Sequence, residues 1–240
     1  QYIRDNVAMW LDEFRIDGLR WDATAYIRNA EGGTNPELDI PDGWKLLFDG
    51  EDPAKHWRGF RKDELPDGWV VDDEAIHRAD KAGDIITREQ YADFELQLDW
   101  KVAGPGNSGI FFRVSEDEDA VWKTGPEMQV LNDHVHPDGR NPLTRAGSNY
   151  ALHAPAENAC KPVGEWNHVY ILVKGPHVEL WLNGQKVVEY ELFSEDWQRR
   201  VAESKFSKFP NYGRVERGHI ALQDHGDRVW FRNVKLRPLD

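Results

Sequence analysis

Cysteine and methionine are scarce: the 240 residues hold one Cys, Cys160, and two Met. A single cysteine excludes an internal disulfide and says little about compartment. Positive charge is also short, with 30 Lys and Arg against 43 Asp and Glu and a formal net charge of −13. No basic cluster interrupts that balance. Phosphate binding needs a basic footprint, so nucleic acid is not an expected partner. An acidic surface disfavours anionic membranes and suits neutral sugars. No apolar run is long enough to span a bilayer, and no signal peptide is visible. The chain starts at Gln1 rather than Met. That reads as a processed, truncated or excised end with room for a lost export signal, and a periplasmic or secreted location is the expectation.

Aromatic residues, by contrast, are plentiful: 11 Trp, 10 Phe and 7 Tyr make up 12% of the chain. Large core residues of a β-rich fold account for most of such a supply. The alternative reading is sugar stacking, because the apolar face of a sugar ring packs well on indole. Trp166 and Trp181 are read as core or rim aromatics first and as sugar platforms second.

The chain divides into two parts of unequal completeness. In "QYIRDNVAMWLDEF" (1–14), Ile3, Val7, Trp10, Leu11 and Phe14 have helical spacing, and the short β run "RIDGLRWDA" follows. "NAEGGTNPELDIPDG" is rich in Gly, Asn and Pro and reads as a linker. From Gly43 onward short alternating runs are separated by turn signals, which predicts an all-β sandwich. "DFELQLDWKV" sets Phe94, Leu96, Leu98, Trp100 and Val102 against polar neighbours, and Asn183–Gly184 is a two-residue hairpin signal. One helix is expected near Ser194–Phe206, with Ser194 as N-cap. The expected domains are 1–36, an extension and linker, and 37–240, the sandwich.

"FRIDGLRWDATAYI" (14–27) resembles the fourth-strand motif of the α-amylase and glycogen-branching superfamily. Arg20 and Asp22 match its Arg-x-Asp, whose Asp attacks the anomeric carbon. A retaining glycosidase needs a second carboxylate about 5 Å away, and in this family it comes from the next barrel strand. After Ile27 the chain has no further barrel unit, and a (β/α)₈ barrel needs about 200 residues of its own. Residues 1–36 are therefore expected to be a remnant rather than the catalytic centre.

The longer resemblance lies downstream. The runs "GWKLLFDGED", "NSGIFFR", "PEMQVLND", "KPVGEWNHVYILVKG", "HVELWLNG" and "GHIALQDHGDRVWFRNVKLRPL" make residues 43–239 similar, nearly end to end, to the 3-keto-disaccharide hydrolase family. That resemblance implies a concanavalin-like jelly-roll sandwich of two antiparallel sheets. It also implies action on glycosides whose C3 hydroxyl has been oxidised to a ketone. The chain departs from the family at "AGSNYALHAP", where many members carry a "TGALYDL"-like segment.

Strand alternation gives an independent reading of the same residues. In "PEMQVLN", Glu127 and Gln129 oppose Met128 and Val130. In "SGIFFRV", Gly109, Phe111 and Arg113 oppose Ile110, Phe112 and Val114. In "GHIALQDHG", His219, Ala221 and Gln223 oppose Ile220 and Leu222, with His225 in the turn beyond. If the polar faces share one sheet surface, Arg113, Glu127, Gln129, Gln223 and His225 converge on a groove. Cleavage next to a C3 ketone needs a base for the C2 proton, a stabiliser for the enolate and an acid for the leaving group. Glu127 or His225 is the expected base, and Arg113, with Lys161 as second choice, the enolate stabiliser. Asn107, Gln129 and Gln223 are expected to hold hydroxyls. Tyr150 and His153, in the departing segment, are placed at the substrate entrance. The plainer reading of Glu127 is a cross-strand ion pair with Arg113.

No cofactor is demanded by these residues. Asp133, His134, His136 and Asp138 in "NDHVHPDG" form a loose mixed donor set with which a divalent cation is compatible. The expected partner is a carbohydrate. The competing readings are a non-catalytic carbohydrate-binding module, a structural domain, and an ordinary glucanase. For the last, Glu95 and Asp99 of "ELQLD" are the nearest match to the Glu-x-Asp-x-x-Glu arrangement such enzymes use, and the central carboxylate and the second Glu are missing.

Overall fold

The computed structural model describes residues 43–239. The helix expected over 1–14, the strand after it and Asp22 lie outside the described residues. Among the described residues are thirteen strands and one α-helix. In chain order the strands are β1 (Lys45–Phe48), β2 (Trp57–Gly59), β3 (Trp69–Asp72), β4 (Ala75–Arg78), β5 (Ile85–Thr87), β6 (Phe94–Val102) and β7 (Asn107–Val114). After these come β8 (Glu127–Leu131), β9 (Asn167–Lys174), β10 (His177–Leu182), β11 (Gln185–Glu191), β12 (His219–Leu222) and β13 (Val229–Pro238).

They form two antiparallel sheets. The larger has eight strands ordered β11-β10-β9-β6-β13-β4-β3, with β1 also on β13. The smaller has five, ordered β2-β5-β12-β7-β8. Alternation explains how they pack. On β6 the residues Phe94, Leu96, Leu98, Trp100 and Val102 are buried, and the intervening ones are not. Ile110, Phe112, Met128, Val130, Ile220 and Leu222 from the smaller sheet meet them in one core cluster. The Asn183–Gly184 turn has φ of +51° and +82°, the doubly left-handed geometry a tight hairpin requires.

The helix Glu195–Glu203 begins at Ser194, whose Oγ accepts from the Trp197 N–H at 3.1 Å. It ends at Ser204, which also caps a 3-10 turn, Lys205–Lys208, by accepting from the Phe206 N–H. The sequence places a single helix across both pieces. The observed break at Ser204 turns Lys205 towards the smaller sheet.

Two irregularities shape that sheet. Where β12 pairs with β7, His219 faces Val114 and Ala221 faces Phe111. Two steps on one strand thus match three on the other, which is a β-bulge, and Arg113 takes the left-handed φ of +54° within it. Alternation fails from that point on. Val114 packs with Phe111 and Ala221 in a second apolar cluster, and Arg113 leaves that face. The edge of β8 is covered by the segment before Tyr150. Gly147 N–H donates to Gln129 O, Ser148 O accepts from Gln129 N–H, and Tyr150 N–H donates to Glu127 O, at 2.9–3.0 Å.

Candidate active site

A cavity of about 190 Å³ opens on the face of the smaller sheet turned away from the core, lined by Asn107, Trp122, Glu127, Gln129, Asp138, Tyr150, Lys205, Gln223 and His225. Sites for drug-sized ligands run to roughly 300–1,000 Å³, so this one suits a single ring rather than a long oligosaccharide.

The floor is built by three neighbouring strands. Gly109 of β7 stands opposite Gln129 of β8, and Phe111 opposite Glu127. A methyl group added to Gly109 would overlap the Glu127 carboxyl oxygen and lie 2.8 Å from the Phe111 ring. The glycine therefore leaves the space into which the carboxyl folds. Gln129 is pinned by Nε2 donating to the Thr144 carbonyl at 3.1 Å, and its Oε1 is buried without a partner. Gln223 is fixed through its backbone: its N–H donates to Gly109 O at 3.1 Å, and its carbonyl accepts from Ser108 Oγ at 2.7 Å. The Asn107 N–H donates to the Asp227 carboxylate at 3.1 Å, and the Asn107 side chain turns to the cavity.

Glu127 is 6% exposed. Among the described residues no protein group hydrogen-bonds to its carboxyl. Burial pushes that carboxyl up to about 8; the Lys205 charge opposes the rise and the Asp84 carboxyl adds to it. Asp84 is itself raised to about 6 by burial, against a hydrogen bond from the Asp224 N–H and with the Asp224 charge helping the rise. Tyr150 is raised too, by burial and then by Asp138 and Glu127.

The Lys205 ammonium lies over the Tyr150 ring at 4.3 Å, the Trp122 ring at 5.1 Å and the Phe206 ring at 5.2 Å. Burial lowers its pKa, with Glu127 and then Asp138 acting the other way. Trp122 is held edge-on to Phe209 at 5.2 Å. His225 is exposed at the rim, in a turn anchored by Asp224. That carboxylate accepts from Arg78, Ala82, Gly83 and Gly226 at 2.8–3.0 Å.

Six residues expected at the site come together here: Glu127, His225, Asn107, Gln129, Tyr150 and Gln223. Three do not. The bulge sends Arg113 to the Gly175 carbonyl at 2.6 Å, so it forms no ion pair with Glu127. Lys161 donates to the Trp166 carbonyl at 3.0 Å, in a loop bound to Asn167. His153 stacks on Tyr190 at 4.7 Å and on Trp197, bonded to Asn149 at 3.0 Å. Burial drives its pKa down to about 4.

The loose donor set also separates. Asp133 accepts from the Ala146 N–H, and His136 Nδ1 accepts from the Asp138 N–H, while Asp138 itself lines the cavity. Among the described residues the group that does converge with ligand spacing is His177, Glu179 and Glu189, on the β10–β11 hairpin. Lys186 bridges its two glutamates at 3.2 and 2.6 Å. Glu95 and Asp99 lie on the outer face of the larger sheet, Glu95 bound to Arg237 and Tyr170, and Asp99 to His168 and Asn233.

Alternation within strands missed Trp122, Asp138 and Lys205, because each reaches the cavity from a connection outside the sheet. The run "SKFSKF", with lysines beside aromatics just past a helix, is the one local sign of Lys205.

The β-sandwich thus carries a polar, ring-sized cavity flanked by aromatics, a shape and lining compatible with one sugar ring. Residues 43–237 match the model of the 3-keto-alpha-glucoside-1,2-lyase-like domain family, and the chain belongs to that family. A 3-keto-disaccharide hydrolase of Bacteroides thetaiotaomicron is 33% identical over 253 residues, covering 91% of this chain and 87% of that protein. A crystal structure of a proposed glycosyl hydrolase from Parabacteroides distasonis is 36% identical with a TM-score of 0.77, covering 83% of this chain and 95% of that one. A Bacillus subtilis protein with a galectin-like fold is 15% identical at a TM-score of 0.52, covering 79% and 92%, a likeness of fold alone. Family and relatives together support a glycoside-hydrolase-type function. Among the described residues no helix is long and apolar enough to cross a membrane.

Proposed function

We propose that the chain cleaves glycosides whose sugar carries a ketone at C3, by elimination followed by hydration. The observation that carries this reading is Glu127: a buried carboxyl with no hydrogen-bond partner among the described residues, at the floor of a cavity sized for one ring. An unpaired carboxyl in such a place costs stability. Sugar binding alone gives no reason to keep one, whereas proton abstraction from carbon does.

In the proposed reaction the Glu127 carboxylate takes the C2 proton, and the C2–H electrons form the enolate of the C3 ketone. The enolate then collapses, the C1–O bond breaks, and the leaving oxygen takes a proton. Water adds its OH to C1 of the enone and a proton returns to C2, so the net change is hydrolysis. Asn107, Gln129 and Gln223 hold the ring hydroxyls, and the buried Gln129 Oε1 is an acceptor suited to a sugar OH. Tyr150 forms the wall, and His225, at the exposed rim, serves the leaving group or the incoming water.

The test is a pair of substrates, a glucoside and its 3-keto counterpart, followed by aglycone release. Release from the keto form alone, abolished in Glu127→Gln, is the expected result. Release from the unoxidised glucoside would overturn the mechanism and turn attention to Glu127 and Asp138 as a two-carboxylate pair. Binding without release from either would favour a carbohydrate-binding module.

A further inference from the structure

The elimination has a requirement that neither expected cation meets. Charge develops on the C3 oxygen as the C2 proton leaves, and a positive or hydrogen-bonding group must already stand there. The charged ends of Arg113 and Lys161 are bound to the Gly175 and Trp166 carbonyls. Of the residues that line the cavity, Lys205 is the one with an ammonium or guanidinium group.

Its setting differs from that of a surface lysine lying along apolar groups. Among the described residues its ammonium makes no hydrogen bond and no ion pair within 4.0 Å. Tyr150, Trp122 and Phe206 surround it instead, at 4.3–5.2 Å. Ring faces attract a cation without offering a directed acceptor. They hold the charge in place and leave its N–H groups for something in the cavity. A direct ion pair with Glu127 would do the reverse, by occupying the base and the cation together. The fence of rings keeps both available, with Asp138 and Glu127 as the acidic groups facing the ammonium.

On the reading that the site cleaves 3-keto-glycosides, we infer that Lys205 is a catalytic residue that donates a hydrogen bond to the C3 oxygen and stabilises the enolate. The proton shuttled by Glu127 and the electrons of the C2–H bond are accounted for as above. Lys205 keeps its own proton throughout.

The test uses the full chain with a 3-keto-glucoside in D₂O, following loss of the C2–H signal and release of aglycone. Lys205→Met keeps the aliphatic stem against the rings, and near-UV circular dichroism checks that packing. The expected result is a loss of about 100-fold or more in both exchange and release. Lys205→Arg should recover part of it, and methylammonium should partly rescue Lys205→Ala. A structural lysine would show no such rescue. Exchange and release in Lys205→Met within about threefold of the parent, where Glu127→Gln loses both, would overturn the assignment while leaving the functional reading intact. A parent chain that neither exchanges C2–H nor releases aglycone from the keto-sugar would overturn the functional reading, and this inference with it. The two failures are told apart by the parent alone.

Discussion

At Glu127 the burial that isolates the carboxyl also sets its proton affinity. A base must be ionised to act, and burial holds this carboxyl protonated up to about 8. The Lys205 ammonium, Asp84, Asp138, Tyr150, Tyr212 and His225 are the charged and titratable groups around it. Turnover of a 3-keto-glycoside should therefore rise with pH through neutrality and level off above about 8. A pH–rate profile that is flat across neutrality would contradict the role. The same shift has a stability consequence of definite sign. A carboxyl whose folded pKa lies above its unfolded value stabilises fully below the unfolded value, near 4.3. That gain is lost as pH rises towards the folded value. Glu127→Gln, neutral at every pH, should be more stable than the parent at pH 8, by roughly 2–4 kcal/mol, with the difference vanishing in mild acid. Denaturant titrations at both pH values measure it. Glu127 and Gln129 were legible in the sequence because a five-residue strand with Met128 and Val130 on the buried side leaves them one place to point. Lys205 was not, because its position depends on a cap at Ser204 and on rings drawn from distant connections.

The elements that hold the site give two predictions. Gly109 sits in ordinary strand conformation, so what a methyl group there meets is the Glu127 carboxyl and the Phe111 ring. Gly109→Ala should fold, because a carboxyl at the end of a flexible side chain can move. It should lose activity by about 10- to 100-fold, because a displacement near 1 Å costs that much at a reacting centre. Activity within twofold of the parent would place the carboxyl's position outside the mechanism. Asp224 links the turn that carries His225 to β4 and to the loop before β5 through Arg78, Ala82 and Gly83. Burial alone would raise its pKa, but those hydrogen bonds and the Arg78 charge hold it below the ordinary range. A depressed carboxyl stabilises above its unfolded pKa, and the gain is lost as pH falls through the folded one. Asp224→Ala should cost about 3 kcal/mol at neutral pH, read by chemical denaturation, and less in acid. A loss below about 0.5 kcal/mol would show that the turn is held by other means. Alternation alone places the side chains of the regular strands β6, β8 and β12 on their observed faces. It failed at Arg113, because one extra residue in β7 moves every later side chain to the opposite face. Nothing in "FFRV" announces the bulge.

Across the whole molecule, two stretches of the chain carry residues of a catalytic kind, and the proposed chemistry belongs to one of them. Arg20 and Asp22 match a glycosidase motif without the partners that motif needs, whereas the cavity on the smaller sheet gathers two carboxyls, a lysine, a histidine, three amides and two large rings. Asp22→Asn should leave turnover of a 3-keto-glycoside unchanged. A large loss would bring residues 1–36 back into the active site. The sandwich itself was legible from alternation and turn spacing. The cavity was legible only in part, because a sheet face shows which residues share a side and not which connections close over them. In the proposed reaction the C–H bond at C2 breaks before the glycosidic bond does. Its most direct test is kcat/KM for a 3-keto-glucoside carrying deuterium at C2, measured in competition with the unlabelled compound. The expected result is a primary isotope effect, with the deuterated sugar clearly slower. Equal rates for the two, with the label retained at C2 of the released sugar, would mean direct displacement at C1 and would contradict it.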